Sequence, residues 1–395
     1  MTVKIETWTA PDATIKVAIN GQHVAPLQAL NLDEARERVL NIARQHAASS
    51  TADVLLTATD PEGAWTIVVA PDGQVSEPPQ VPEPLPTRRD VQRRSFLKEQ
   101  QVQQPATRGW RGLLTHMGLR MSPSTAEKAE RDDVHAVSQH WPGPRTIVVA
   151  NGKGGAGKTP TTALLSAVFA RYGGAGVVSW DANQTRGTLG WRTEQGPHEA
   201  TVLDLLPRGE QLLGTGAQSA DLAHYVHHQT VDRYDVLRSQ PIQLAADQRV
   251  TTDDVNLIWQ IAAKFYRLIF IDTGNDESDP VWLKAVEHAD QIVVPTTTRA
   301  DHAEAGALLL DALHNRDEHS RQLATNAVAV VTQADPRASA TDIANIVDGY
   351  SGLAREVVTI PHDPAIVDGI LQWDSLRPST QRAWLRAAAA VARGL

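Results

Sequence analysis

Apolar and polar positions follow two different rhythms along this chain. Over residues 1–80 most of the apolar runs are short, with the period of strands. TIKVAI from Thr14 and DVLLTATD from Asp53 alternate or run apolar as strands do. AWTIVV from Ala64 repeats the pattern after Asp60-Pro61-Glu62-Gly63, whose residues favour a turn. Between them NLDEARERVLNIARQHAA predicts a helix, with Asn31 as N-cap and Glu34 at the third helical position. The mixture predicts a small α+β module over residues 1–80. It shows no catalytic constellation, which leaves an interaction or regulatory role, or simple stabilisation of the chain.

From Thr146 onward the rhythm changes to strand, then helix, repeated. Strand-like runs fall at Thr146–Ala150, Gly176–Trp180, Arg267–Ile271, Gln291–Val294, Ala327–Val331 and Glu356–Ile360. This alternation predicts an α/β domain over 144–395, with a mostly parallel sheet covered by helices on both faces. A ligand then belongs at the C-terminal ends of the strands.

Residues 81–143 join the two. SEPPQVPEPLPT over 76–87 is proline-rich and predicts an extended linker. Trp110, Leu113, Leu114, Met117 and Met121 recur at helical intervals, with Arg108, Arg111 and Arg120 largely opposite, while Gly109, Gly112 and Gly118 weaken that helix. The stripe suits a membrane surface or a partner, but amphipathic helices usually face a core, which favours a helix docked on the following domain. Ser124-Thr125-Ala126-Glu127 reads as a capping box opening another helix.

Composition narrows the class. The 395 residues allow two or three domains, and 42% apolar content supplies a substantial core. The absence of cysteine excludes disulfides and thiolate metal sites and suits a cytoplasmic protein. MTVKIETWTAP lacks the basic-then-apolar pattern of a secretory leader, and no run approaches the roughly 20 apolar residues of a membrane span. The net charge of −9 argues against a wholly basic DNA-coating protein. The charge is uneven, however. From Thr87 to Arg120 eight Lys/Arg face two acids, a net +6 that leaves −15 for the remainder. That strip suits nucleic acid, anionic lipid or an acidic partner, and suits equally a solvated linker held extended by its own charge. His227-His228 stand without acids at metal-ligand spacing, so a structural or solvated role is expected.

The chemistry concentrates at residues 145–165, RTIVVANGKGGAGKTPTTALL, which contain G-x-x-x-x-G-K-T from Gly152 to Thr159. A β-branched run precedes the motif and a helix-forming run follows it, which is the context a phosphate-binding loop requires. The glycines turn backbone N–H groups inward as an anion nest, and the helix N-terminus adds positive partial charge. Gly152, Lys153, Gly154, Gly155, Ala156, Gly157, Lys158 and Thr159 are therefore the candidate phosphate-binding residues. Lys158 reaches the β- and γ-phosphates and Thr159 ligates Mg²⁺. RLIFIDTGND ends a buried strand on Asp272, placed to hold the same metal through water.

With Lys153 one residue into the loop, K-G-G-x-G-K-T resembles the deviant Walker A motif of the ParA/MinD family of P-loop ATPases. The resemblance spans about residues 145–390 and implies ATP and Mg²⁺ as cofactors and an ATP-dependent homodimer. It implies that Lys153 crosses the interface to the partner's ATP, and that Thr273 to Asp276 sense the γ-phosphate. VVSWDANQTRGTL matches the family's switch I region, with Asp181 in the first aspartate position. AVVTQADPRAS resembles the segment after a late strand. TIPHDPAI resembles the loop near the adenine, making Pro361 and Asp363 candidate base-side residues. The GWR segment before the P-loop (residues 109–111), together with DAN, GTL and DTGN, resembles actinobacterial ParA/MinD-like ATPases that accompany type VII secretion or conjugation clusters, as EspI-type proteins do. MinD-like proteins bind membranes through a C-terminal amphipathic helix. Here TQRAWLRAAAAVARGL is alanine-rich and is expected to be a packing helix.

Two departures bear on the chemistry. The family's second switch aspartate is Asn183 here, and an amide cannot take a proton as a carboxylate does. Hydrolysis is then slow or uses another group, with Asp276 a possible substitute. The residue after Thr159 is Pro160, which suits a first helical turn but lacks the N–H and hydroxyl that meet the α-phosphate. The expected function is an ATP-dependent dimerising switch with slow hydrolysis, accessory to a secretion or DNA-transfer apparatus. The alternatives are a partition ATPase that binds DNA non-specifically and a nucleotide-dependent scaffold that does not hydrolyse.

Overall fold

The computed structural model describes residues 3–61, 63–76, 78, 105, 122–174, 176–184, 187–239, 250–367 and 369–395. The chain divides into two units, Met1–Gln101 and Val102–Leu395. The proline-rich linker, the basic strip and the 107–121 stripe lie almost wholly outside the described residues.

The first unit is a six-stranded sheet in the order β3-β2-β1-β4-β5-β6 carrying one helix. Its strands are β1 (Val3–Thr9), β2 (Thr14–Ile19), β3 (Gln22–Gln28), β4 (Val54–Asp60), β5 (Gly63–Val69) and β6 (Val75–Ser76). The helix α1 (Leu32–Ser50) starts where expected, with the Asn31 side chain accepting the Glu34 N–H. Ala35, Val39, Ala43 and Ala47, one per turn, bury against Ile5, Ile15, Val17, Val54 and Leu56. Strands β1 and β3 go beyond the sequence reading. β1 alternates Ile5 and Thr7 inward with polar residues outward, and β3 is an exposed edge whose Pro26 and polar residues hide its strand character.

The second unit is the expected α/β architecture. Its eight-stranded sheet runs β14-β13-β12-β7-β11-β8-β10-β9. The strands are β7 (Arg145–Val149), β8 (Val177–Asp181), β9 (His227–His228), β10 (Asp235–Leu237), β11 (Leu268–Asp272), β12 (Gln291–Thr297), β13 (Val328–Thr332) and β14 (Glu356–Ile360). All pairings are parallel except β9 with β10 at the edge. Burial on both faces explains the unbroken apolar strands. Ile147 and Val149 face one core, Val148 and Ala150 the other. The short β9 and β10 are too brief for a periodic signal. In β9, His227 is a structural residue: its ring bonds the Gly196 N–H at 3.0 Å and the Ala200 carbonyl at 2.8 Å.

Helices α2 (Thr125–Val137), α3 (Lys158–Gly173) and α9 (Pro378–Ala392) stack on the first of these faces. Ser124 caps α2 by accepting the Glu127 N–H. Helix α3 is buried along nearly its whole length, so its apolar residues show no one-sided stripe. The alanine-rich α9 is a packing helix, with Trp384, Leu385 and Ala387–Ala392 buried. The opposite face carries α4 (Thr252–Phe265), α5 (Pro280–Glu287), α6 (Ala300–Arg316) and α7 (Glu318–Thr325), and α8 (Ala340–Ser351) lies against β14. Among the described residues no helix is long and apolar enough to cross a membrane.

Strand β7 lies between β11 and β12, where the winding of the sheet reverses. Its C-terminal end is the crevice in which such sheets bind ligands. Trp384 is wholly buried beneath this sheet. Trp384→Ala should lower the unfolding free energy by about 3–5 kcal/mol. Urea unfolding followed by far-UV dichroism measures it, and a loss below about 1 kcal/mol would show that α9 is not packed as described.

Candidate functional site

Gly152–Gly157 bridge the end of β7 and the start of α3. Gly157 precedes the helix at φ 99°, a left-handed conformation that a side chain resists. The loop is stitched down by the buried Asn151. Its side chain donates to the Pro295 carbonyl at 2.9 Å and the His302 carbonyl at 3.1 Å, and accepts the Lys153 N–H at 2.9 Å.

Lys158 is buried, and its ammonium bends back into the loop. It donates to the Asn151 carbonyl at 2.8 Å, the Lys153 carbonyl at 3.1 Å and the Asn275 Oδ1 at 2.5 Å. Burial pulls its pKa down, against the charges of Asp272 and Glu277. A bound phosphate would meet this ammonium by displacing the Asn275 amide oxygen. Lys153 points elsewhere. It is half exposed, and its ammonium lies 3.8 Å from Asp301, which Arg299 grips through two bonds of 3.0 Å. That grip holds the Asp301 carboxyl at about 2.

Beneath the loop two carboxylates sit side by side. Asp272 and Asp181 end neighbouring strands in direct register, both buried. Asp272 accepts the Thr159 hydroxyl at 2.7 Å through one oxygen. Its other oxygen, Oδ1, is buried with no partner among the described residues. Burial, and then the charge of Asp181, push Asp272 up to about 8. Asp181 rises to about 6, chiefly through burial, although Ser239, Asn183 N–H and Leu189 N–H all donate to it. An orphaned carboxylate oxygen beside a threonine hydroxyl fits a hard divalent cation, which takes oxygen ligands. Thr159 and Asp272 would hold it.

A cleft of about 530 Å³ opens above the loop, lined by Gly154, Gly155, Gly157, Lys158 and Thr159. Pro160 and Asn183 line it as well. Of the two base-side candidates, Asp363 borders the cleft and Pro361 does not. Both Asp363 oxygens are taken by backbone, from Arg377 at 2.9 Å and Ala365 at 3.1 Å, so this carboxylate shapes the rim. Asp276 is turned away too: a single oxygen accepts both the N–H and the hydroxyl of Ser278.

The acidic residue that does approach the loop is Glu277, which sequence reasoning missed. Its carboxylate accepts the Gly152 N–H, and burial raises its pKa beside Lys158. A Cβ at Gly152 would lie 2.5 Å from its Oε1, so a side chain there would push the Glu277 carboxylate aside. Asp301, Trp191 and Arg192 were missed as well. No spacing rule links them to the loop; the sheet order brings them there.

A family model described as an AAA domain matches residues 144–324. The chain is similar to the ESX-1 secretion-associated protein EspI of Mycobacterium tuberculosis, in each of two strains. The identity is 28% over 297 residues, covering 73% of this chain and 42% of EspI. The chain thus spans less than half the length of these relatives. Among solved structures, a ParA family ATPase from Chlorobium tepidum superposes at a TM-score of 0.51 and 18% identity, covering 62% of this chain and 98% of that one. That likeness is one of fold.

The raised Asp272 carboxyl gives a pH dependence. Folded, it holds a proton up to about 8; its ordinary value is 3.8. The folded state then binds more protons between these values, so stability is greatest below the lower one and is lost as pH rises through the upper one. In Mg²⁺-free buffer the thermal midpoint should fall from pH 6 to pH 9, and Asp272→Asn should flatten that fall. An unchanged slope in Asp272→Asn would place its origin elsewhere.

Proposed function

We propose that this chain, a ParA/MinD-like P-loop ATPase related to EspI, is a switch that dimerises around ATP and Mg²⁺ and is released by slow hydrolysis. The observation that carries the reading is the Asp272 oxygen that has no partner among the described residues, beside Thr159 and below a loop where Lys158 donates to three neutral oxygens.

Catalysis in such a site is positioning and charge neutralisation. Lys158 exchanges Asn275 for the terminal phosphates. The inward N–H groups of Gly154 to Lys158 cradle the phosphate chain. Thr159 and Asp272 would hold the metal, which when bound would supply neutralisation of charge developing on the phosphate oxygens. Asp181 holds the Leu189 and Asn183 N–H groups and so shapes the switch segment. Lys153 swings from Asp301 to the nucleotide of a second copy. Asn183 at the cleft wall acts toward slow turnover, and Pro160 at the helix start toward weaker nucleotide binding.

The output is a change in which partner binds. The target in this reading is a secretion or DNA-transfer apparatus met in the cytoplasm; the relatives' description as secretion-associated supports the first of these. Asn183 favours a second reading, a nucleotide-dependent scaffold without turnover. Steady-state phosphate release separates the two: none above background, with partner and DNA both present, supports the scaffold.

Lys158→Ala should abolish ATP binding by calorimetry. Lys153→Ala should bind ATP as a monomer yet lose ATP-dependent dimerisation by light scattering. If both variants dimerise normally with ATP, the switch mechanism is wrong.

A further inference from the structure

The lining of the cleft divides into two chemistries. Backbone N–H groups, Lys158 and Thr159 suit an anion, whereas Trp191, Ile366 and Val367 are apolar. Trp191 is 65% exposed and Val367 53% exposed. Two large apolar side chains left open at the mouth of one cleft mark a binding surface.

The indole is not exposed because its segment is loose. Leu189–Trp191 form a 3₁₀ turn with Leu189 fully buried beneath it. The Trp191 N–H donates to the Thr188 carbonyl at 3.0 Å. A Cβ at Gly190 would meet the Arg238 side chain at 3.0–3.1 Å, so the turn closes tightly upon it. On the far side the Arg192 guanidinium donates to the Ile366 carbonyl at 2.6 Å and the Gly369 carbonyl at 2.8 Å. The Leu371 N–H returns a bond to the Arg192 carbonyl at 2.8 Å. These bonds pin the backbone on either side of Trp191 and bring Ile366 and Val367 to the same rim.

We propose that Trp191 is the platform on which the nucleobase stacks, with Ile366 and Val367 as the apolar rim beside it. This rests on the reading that a triphosphate occupies the loop. Two polar side chains at the rim are already committed: Gln333 donates to the Ala338 carbonyl at 3.0 Å and accepts the His362 backbone N–H at 3.4 Å, and Asp363 caps backbone. The base is held by its face, since every base has a π-face that an aromatic ring can accept.

The test titrates wild type, Trp191→Ala and Trp191→Phe with MgATP and with magnesium tripolyphosphate by calorimetry. Trp191→Ala should weaken ATP binding by about ten- to a hundredfold, the range of aromatic–base stacking, and leave tripolyphosphate binding within twofold. Trp191→Phe should recover most of the ATP affinity. Nucleotide should change indole fluorescence in wild type, and Trp191→Phe should lack that component, a readout that stands even if the alanine variant misfolds. Unchanged ATP affinity in Trp191→Ala overturns the inference and assigns the indole to another surface, such as a second copy. Equal weakening of ATP and tripolyphosphate also overturns it, since Trp191 then only supports the loop. Wild type that binds neither ligand overturns the nucleotide reading itself.

Discussion

Charge held where the sheet admits little water is the constraint on which this site depends. Asp181 and Asp272 end adjacent buried strands, and Lys158 bends into the loop above them. Burial disfavours every charged form here, and the two like charges disfavour each other. Buried charge is tolerated when it is compensated. The arrangement offers N–H groups and an ammonium to an anion, and carboxylates to a cation. A magnesium-bound phosphate ester satisfies both with one ligand.

The fold brings these groups together through very few connections. Asn151 binds the loop to β12 and α6, so the floor of the cleft is one rigid piece. Asp181 ties the end of β8 to Leu189, two residues before Trp191. The buried carboxylate beside Asp272 thus anchors the turn that carries Trp191.

Much of this architecture was legible in the chain. Five of the six long strands of the second unit are buried on both faces and read as apolar runs, the edge strand β14 being only partly buried; the ends fell within a residue or two except in β12, which runs on to Thr297. The loop was legible because its glycines, Lys158 and Thr159 are local in sequence. What stayed hidden depends on distance or on weak periodicity. β3 is polar and contains Pro26, and β9 and β10 span two and three residues. Glu277 outranks Asp276 at the loop because Ser278 folds the aspartate back on its own turn, which no spacing rule reports. Asp363 reads as a ligand contact in sequence, but its oxygens cap backbone fourteen and two residues away.

The ion pair between Lys153 and Asp301 has a consequence for how two copies would meet. At 3.8 Å and open to solvent, such a contact is screened and weak. Asp301 keeps a forked grip from Arg299 whether or not the lysine stays. Departure of Lys153 therefore strands no charge behind it. The arm is parked rather than locked, and an opposing subunit offering something more negative would release it at little cost.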